Sequence, residues 1–99
     1  MIASEPANTV KKHKFILFVS GMSVKSMKAI ENINMICEKY LNENFEIEIV
    51  DVYKHPDLAV KNQIIGLPTL IKTEPIPSRI IIGDLSEIDK VLRILDIKK

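Results

Sequence analysis

Few side chains in this sequence have the type and spacing that chemistry requires. There is one cysteine, Cys37, so a dithiol–disulfide cycle within one chain is out of reach. Cys37 falls on the apolar face of an expected helix, where a thiol stays protonated and inert. The two histidines, His13 and His55, stand far apart and in no paired ligand spacing, so no metal site is expected. They also leave no persuasive Ser/His/Asp order for nucleophilic catalysis. Asp51 and Asp84 flank strand ends and read as turn or capping groups, not catalytic acids. Gly21, Gly66 and Gly83 are isolated, so no glycine-rich loop cradles a phosphate. No cofactor is expected, and binding is the better reading than catalysis.

The bulk properties narrow the class of protein. Ninety-nine residues at 46% hydrophobic content support one domain with a modest core. A net charge of +1 and 5% aromatic residues argue against a dedicated nucleic-acid binder. Met1 to Lys14 lacks the apolar run of a signal peptide, and Phe15 to Val19 is too short to span a bilayer. With one cysteine and no disulfide framework, a cytoplasmic protein without a membrane partner is expected. Residues 1–12 are polar and aperiodic and read as a flexible tail; residues 13–99 form the domain. The basic cluster Lys11, Lys12, His13, Lys14 reads as a solvated entry to the first strand.

Phe15-Ile16-Leu17-Phe18-Val19 is an unbroken apolar run, as in a central strand buried on both faces. From Ser23, a plausible N-cap, the period changes. Met27, Ile30, Ile33, Cys37, Tyr40 and Leu41 recur at helical spacing. Phe45 to Tyr53 predicts a second strand, parallel to the first across a right-handed crossover. Pro56 opens a short helix, with Gly66 ending the segment. Thr69–Lys72 and Arg79–Ile82 are too closely linked for a crossover, so they are antiparallel. Ser86 and Asp89 resemble a capping box, ahead of a core stripe of Leu85, Ile88, Val91, Leu92 and Leu95.

The order β-α-β-α-β-β-α, a mixed four-stranded sheet with helices on both faces, resembles the thioredoxin-like architecture. Gly66-Leu67-Pro68-Thr69 then sits where that fold places its cis-proline loop, which makes Pro68 the expected cis-proline. The loop Ser20 to Val24, where a thioredoxin carries its two cysteines, has none.

Several segments resemble a more specific family. Phe18-Val19-Ser20-Gly21, Ile49-Val50-Asp51-Val52, His55-Pro56-Asp57-Leu58-Ala59, Leu67-Pro68-Thr69-Leu70, Arg79 through Ser86, and Lys90-Val91-Leu92 occur in the order and spacing of the KaiB family. The resemblance implies a non-enzymatic adaptor that binds a KaiC-type ATPase and autokinase ring and modulates its phosphorylation or signalling output. It also implies fold-switching between a tetrameric state with a rearranged C-terminal half and a monomeric thioredoxin-like state.

By correspondence, Lys28, Gln63 and Arg79, with Lys72 nearby, are the expected partner-binding residues. Clock members usually carry lysine at Gln63, a second arginine at Ile80 and glycine at Ile94, so this chain has lost two cations. Self-association as a dimer or tetramer is expected through Ile76, Ile94 and Ile97. With Ile94 in place of glycine, the thioredoxin-like state is expected to be the resting one. Two alternatives stand beside this reading: a thiol-handling protein using Cys37, and a stand-alone sensor module for a histidine kinase.

Overall fold

The structure, a computed structural model, describes residues 12–99; the expected N-terminal tail lies almost wholly outside the described residues. Seven elements follow one another: β1 (His13–Val19), α1 (Val24–Tyr40), β2 (Phe45–Asp51), α2 (Pro56–Lys61), β3 (Thr69–Glu74), β4 (Arg79–Ile82) and α3 (Ile88–Ile94). The sheet order is β2-β1-β3-β4. β1 runs parallel to β2 and antiparallel to β3, and β3 is antiparallel to β4. The apolar run of β1 thus becomes an inner strand, with Phe15, Leu17, Phe18 and Val19 buried.

Strand parity divides the interior. Phe15, Leu17 and Val19 join Ala29, Ile33, Ile36 and Cys37 of α1 and Val91, Leu92 and Leu95 beside them in the main core. Successive strand residues point to opposite faces. Ile16 and Phe18 therefore belong to the other face, on the rungs of Ile71 and Thr69. α2 contributes no buried residue, so that second face is thinly covered.

Each helix ends on a residue that is not glycine but is left-handed: Asn42 at φ 56°, Gln63 at 55° and Asp96 at 59°. After α2 the Gln63 amide donates to the Val60 carbonyl and the Ile64 amide to Ala59. After α3 the Asp96 amide donates to Arg93 and the Ile97 amide to Leu92. Both pairs are Schellman closures, which turn the chain back and place the residue after the left-handed one against the helix.

That closure corrects one expectation. Ile97 is not part of an exposed patch; the reversal at Asp96 buries it in the core at 7% exposure. Ile94 is half-buried, and Ile76 is exposed in the β3–β4 turn. The capping box is a second correction. The residue before α3 is Glu87, without a side-chain cap bond. The Ser86 amide instead donates to Asp84 Oδ1 at 3.1 Å, and the left-handed Leu85 turns into the core, which delays the helix to Ile88. Met27, which the helical spacing expects to pack, is exposed, as is Ile65, and the second strand ends at Asp51 before Tyr53.

Candidate partner-binding site

Beyond the C-terminal ends of β1 and β2, short-range hydrogen bonds fix two loops against each other. Ser23 Oγ accepts the Ser26 amide at 3.3 Å and caps α1. The buried Ser26 hydroxyl accepts the Ser20 amide at 3.1 Å. Gly21 takes φ 59°, a conformation that glycine adopts without a Cβ penalty. Its amide reaches across to Asp51 Oδ1 at 3.2 Å, and the Tyr53 amide donates to the same oxygen at 3.0 Å. Asp51 is therefore a turn group, as its place at a strand end predicts, and it ties the β1–α1 loop to the β2–α2 loop.

The tied loops present apolar side chains to solvent. Met22 and Val24 are exposed from the first loop and Tyr53 from the second; the Tyr53 ring lies against Gly21. Val60 and Ile65 are also exposed, beside a hollow of about 260 Å³ lined by Val52, Ala59, Ile64, Ile65, Gly66 and Leu67. The Leu67–Pro68 bond is cis, and the Pro68 carbonyl accepts the Gly83 amide.

This end carries charge of both signs, Asp51 and Asp84 among the acids. Lys25 and Lys28 occupy the first two turns of α1 and are exposed. The Ser86 hydroxyl and amide, then these two lysines, hold the Asp84 carboxyl below the usual carboxylate range. Asn32 anchors the same turn by donating to the Asp84 carbonyl at 2.8 Å.

The expected binding residues do not form one cluster. Lys28 and Gln63 are exposed, Lys28 on α1 after β1 and Gln63 in the turn that follows α2. Arg79 shares a rung with Lys72 and Phe15, toward the start of β1. Lys72 is 1% exposed and donates to the Leu95 carbonyl at 3.1 Å, so it cannot meet a partner in this fold. Its side chain follows the parity of Leu70 and points inward with Phe15. Sequence pattern alone places Tyr53 in the second strand and marks no surface role for Met22 or Ile65.

Cys37 is fully buried. Burial, with a smaller effect from Glu38, pushes its thiol up to about 12. A buried, protonated thiol is a poor nucleophile, which weighs against a thiol-handling reading. His13 is half-buried, and its Nδ1 has no hydrogen-bond partner among the described residues; burial, then the Lys72 charge, pushes its pKa down. Among the described residues no His, Cys, Asp and Glu cluster is placed to hold a metal ion, and no helix is long and apolar enough to cross a membrane.

The fold defines the class first. The chain has the thioredoxin-like arrangement, similar to the N-terminal domain of Synechococcus elongatus SasA with a TM-score of 0.73 at 17% identity, over 97% of this chain and 94% of that one. It is also similar to chloroplastic thioredoxin z, with a TM-score of 0.69 at 18% identity, over 87% and 80%. The family is narrower. Residues 16–97 match the KaiB domain, and the chain belongs to the KaiB family. It is 46% identical to the circadian clock protein KaiB3 of Synechocystis sp. over 82% of this chain and 79% of that protein. Its identity to the circadian clock oscillator protein KaiB of Thermosynechococcus vestitus is 40% over 88% and 81%.

Proposed function

We propose that this chain is a non-enzymatic adaptor that docks on a KaiC-type ATPase ring and modulates its phosphorylation or signalling output. The observation that carries the reading is the end of the sheet bearing Met22, Tyr53 and Ile65. At the position where thioredoxins keep their cysteines, this KaiB-family chain exposes apolar side chains on loops tied together by Asp51. Exposed apolar residues grouped on rigid loops suit a docking surface. Lys25 and Lys28 beside them suit an acidic partner face.

In this reading Lys28 and Gln63 touch the partner, and Arg79 braces α3 from the other end of the sheet. The protein works in the cytoplasm, and a histidine kinase or other regulator is a second candidate for the same surface. Affinity capture with the tagged chain, in ATP and then in ADP, tests the proposal. Recovery of a KaiC-type ATPase supports it; capture of a histidine kinase without any such ATPase moves the surface to the second partner.

A further inference from the structure

A hollow of about 260 Å³ lies between the end of β2, α2 and the segment that leads into β3, lined by Val52, Ala59, Ile64, Ile65, Gly66 and Leu67. Every lining side chain is apolar, and Gly66 has none. Sites for small molecules are usually larger, about 300–1,000 Å³, and carry a few converging polar groups that fix orientation. With no polar side chain in its wall, this hollow selects an apolar group. An aliphatic cavity of about 150 Å³ holds a benzene ring, so the space suits one leucine or phenylalanine side chain.

The walls are in place before any partner arrives. The left-handed Gln63 closes α2, and the Ile64 amide donates to the Ala59 carbonyl, which sets Ile64 beside Ala59. On the other side the buried Thr69 donates its hydroxyl to the Gly66 carbonyl. A Cβ added at Gly66 would stand 3.2 Å from Ile82 Cγ2, so the backbone there is seated against β4. A pocket held in this way spends little on ordering when it is filled. Its mouth is apolar as well: Ile65 is 89% exposed, and Tyr53 and Val60, the chain neighbours of Val52 and Ala59, are exposed with it.

Charge selects the segment that carries this side chain. From Val52 to Leu67 the chain has two lysines, Lys54 and Lys61, against one acid, Asp57. Both lysines are exposed, and neither joins an ion pair among the described residues. We propose that the hollow is an anchor pocket for one leucine- or phenylalanine-sized side chain, presented by an acidic segment of the docking partner. The proposal rests on the docking reading above and names the chemistry of the segment that docks. A few anchors seated in pockets, ringed by contacts that exclude water, carry most of the energy of a protein interface. Val60 and Ile65 supply the ring here, and Lys54 and Lys61 meet the acids, which steer the approach and fix its register.

Two experiments on the full chain test this, one with the ring and one without it. Ala59→Leu fills the hollow from α2, where leucine is a good helix former. It is expected to weaken binding of the KaiC-type ATPase at least tenfold, with urea stability kept or raised. Ile65→Ala, an exposed truncation, is expected to weaken binding with stability unchanged. In the second experiment the chain is titrated by NMR with three blocked pentapeptides: a phenylalanine flanked by acids, an alanine flanked by acids, and a phenylalanine flanked by lysines. Only the first is expected to give saturable shifts at Ala59, Ile65 and Leu67, and Ala59→Leu is expected to abolish them. A ring bound equally by the parent, Ala59→Leu and Ile65→Ala would overturn the anchor pocket and leave docking intact. So would the absence of shifts at these residues with the first peptide, or equal shifts with either of the others. A parent that binds no ring would remove the docking reading alone, and the peptides then decide the pocket.

Discussion

Lys72 and Arg79 stand directly opposite each other on β3 and β4, and both direct their charge at the end of α3. Lys72 Nζ donates to the Leu95 carbonyl and Arg79 Nε to the Ile94 carbonyl. Asp96 Oδ2 lies 3.8 Å from the first cation and 3.5 Å from the second. Carbonyls at a helix C-terminus lack intrahelical partners and carry negative partial charge, so a pair of sheet cations is a cap in the third dimension. The Asp96 carboxylate offsets the cost of two neighbouring positive charges, one of them buried.

Removing that carboxylate leaves the two cations facing each other. Asp96→Asn keeps a side chain that tolerates the left-handed backbone and removes the charge. It is expected to lower stability by about 1–2 kcal/mol, since a buried ammonium loses its counter-charge while Asp96 itself is half exposed. Urea denaturation checks this; an unchanged midpoint would show that the carbonyls alone suffice.

The same cluster makes stability depend on pH. The folded-state pKa of His13 lies below its unfolded value of 6.5, so the unfolded chain binds the proton first. Stability from this group is present above about pH 6.5 and falls as the pH drops through the depressed folded value. Of the loss measured between about pH 8 and about pH 5, His13→Gln is expected to remove a part. Identical pH profiles for parent and variant would contradict the assignment.

Gln63 pays a conformational cost at its left-handed position. Gln63→Gly is expected to raise stability by about 0.5–1 kcal/mol, because glycine occupies that region without Cβ strain. Thermal or urea unfolding reads the gain, and a loss of stability would mean that the Gln63 side chain holds the turn.

Cys37 is expected to resist labelling by a thiol reagent in the native protein and to react only as fast as the core opens. The chain is likewise expected to show no disulfide reductase activity above a no-protein control. Prompt stoichiometric labelling at neutral pH would contradict the burial of the thiol.

Much of the fold was legible because hydrophobic period is a local property. The run from Phe15 to Val19 becomes an inner strand, and the helical stripe around Ile33 and Cys37 becomes core. Pro56 opens α2, and Ser23 caps α1. What escaped depends on the chain's path after an element ends. Ile97 reads as an outward residue on a continued helix, and only the left-handed turn at Asp96 buries it. Lys72 reads as surface by residue type, whereas its strand parity with Leu70 aims it inward. Ser86 and Asp89 have capping spacing, but Asp84 takes the Ser86 amide first. Of the expected partner-binding residues, Lys28 and Gln63 are exposed beyond the ends of β1 and β2, while Arg79 lies at the other end of the sheet.

The central claim is docking on an ATPase ring through the end of the sheet that carries Lys28. The direct measurement is a binding titration of the purified chain against the KaiC-type ATPase of the source organism, with parent and Lys28→Glu compared in each nucleotide state. A desolvated charge-assisted contact is worth roughly 1.5–3 kcal/mol. The account therefore predicts saturable binding by the parent and at least a tenfold loss with Lys28→Glu, with urea stability unchanged. No binding by the parent in either nucleotide, or equal affinity for the two proteins, would contradict it.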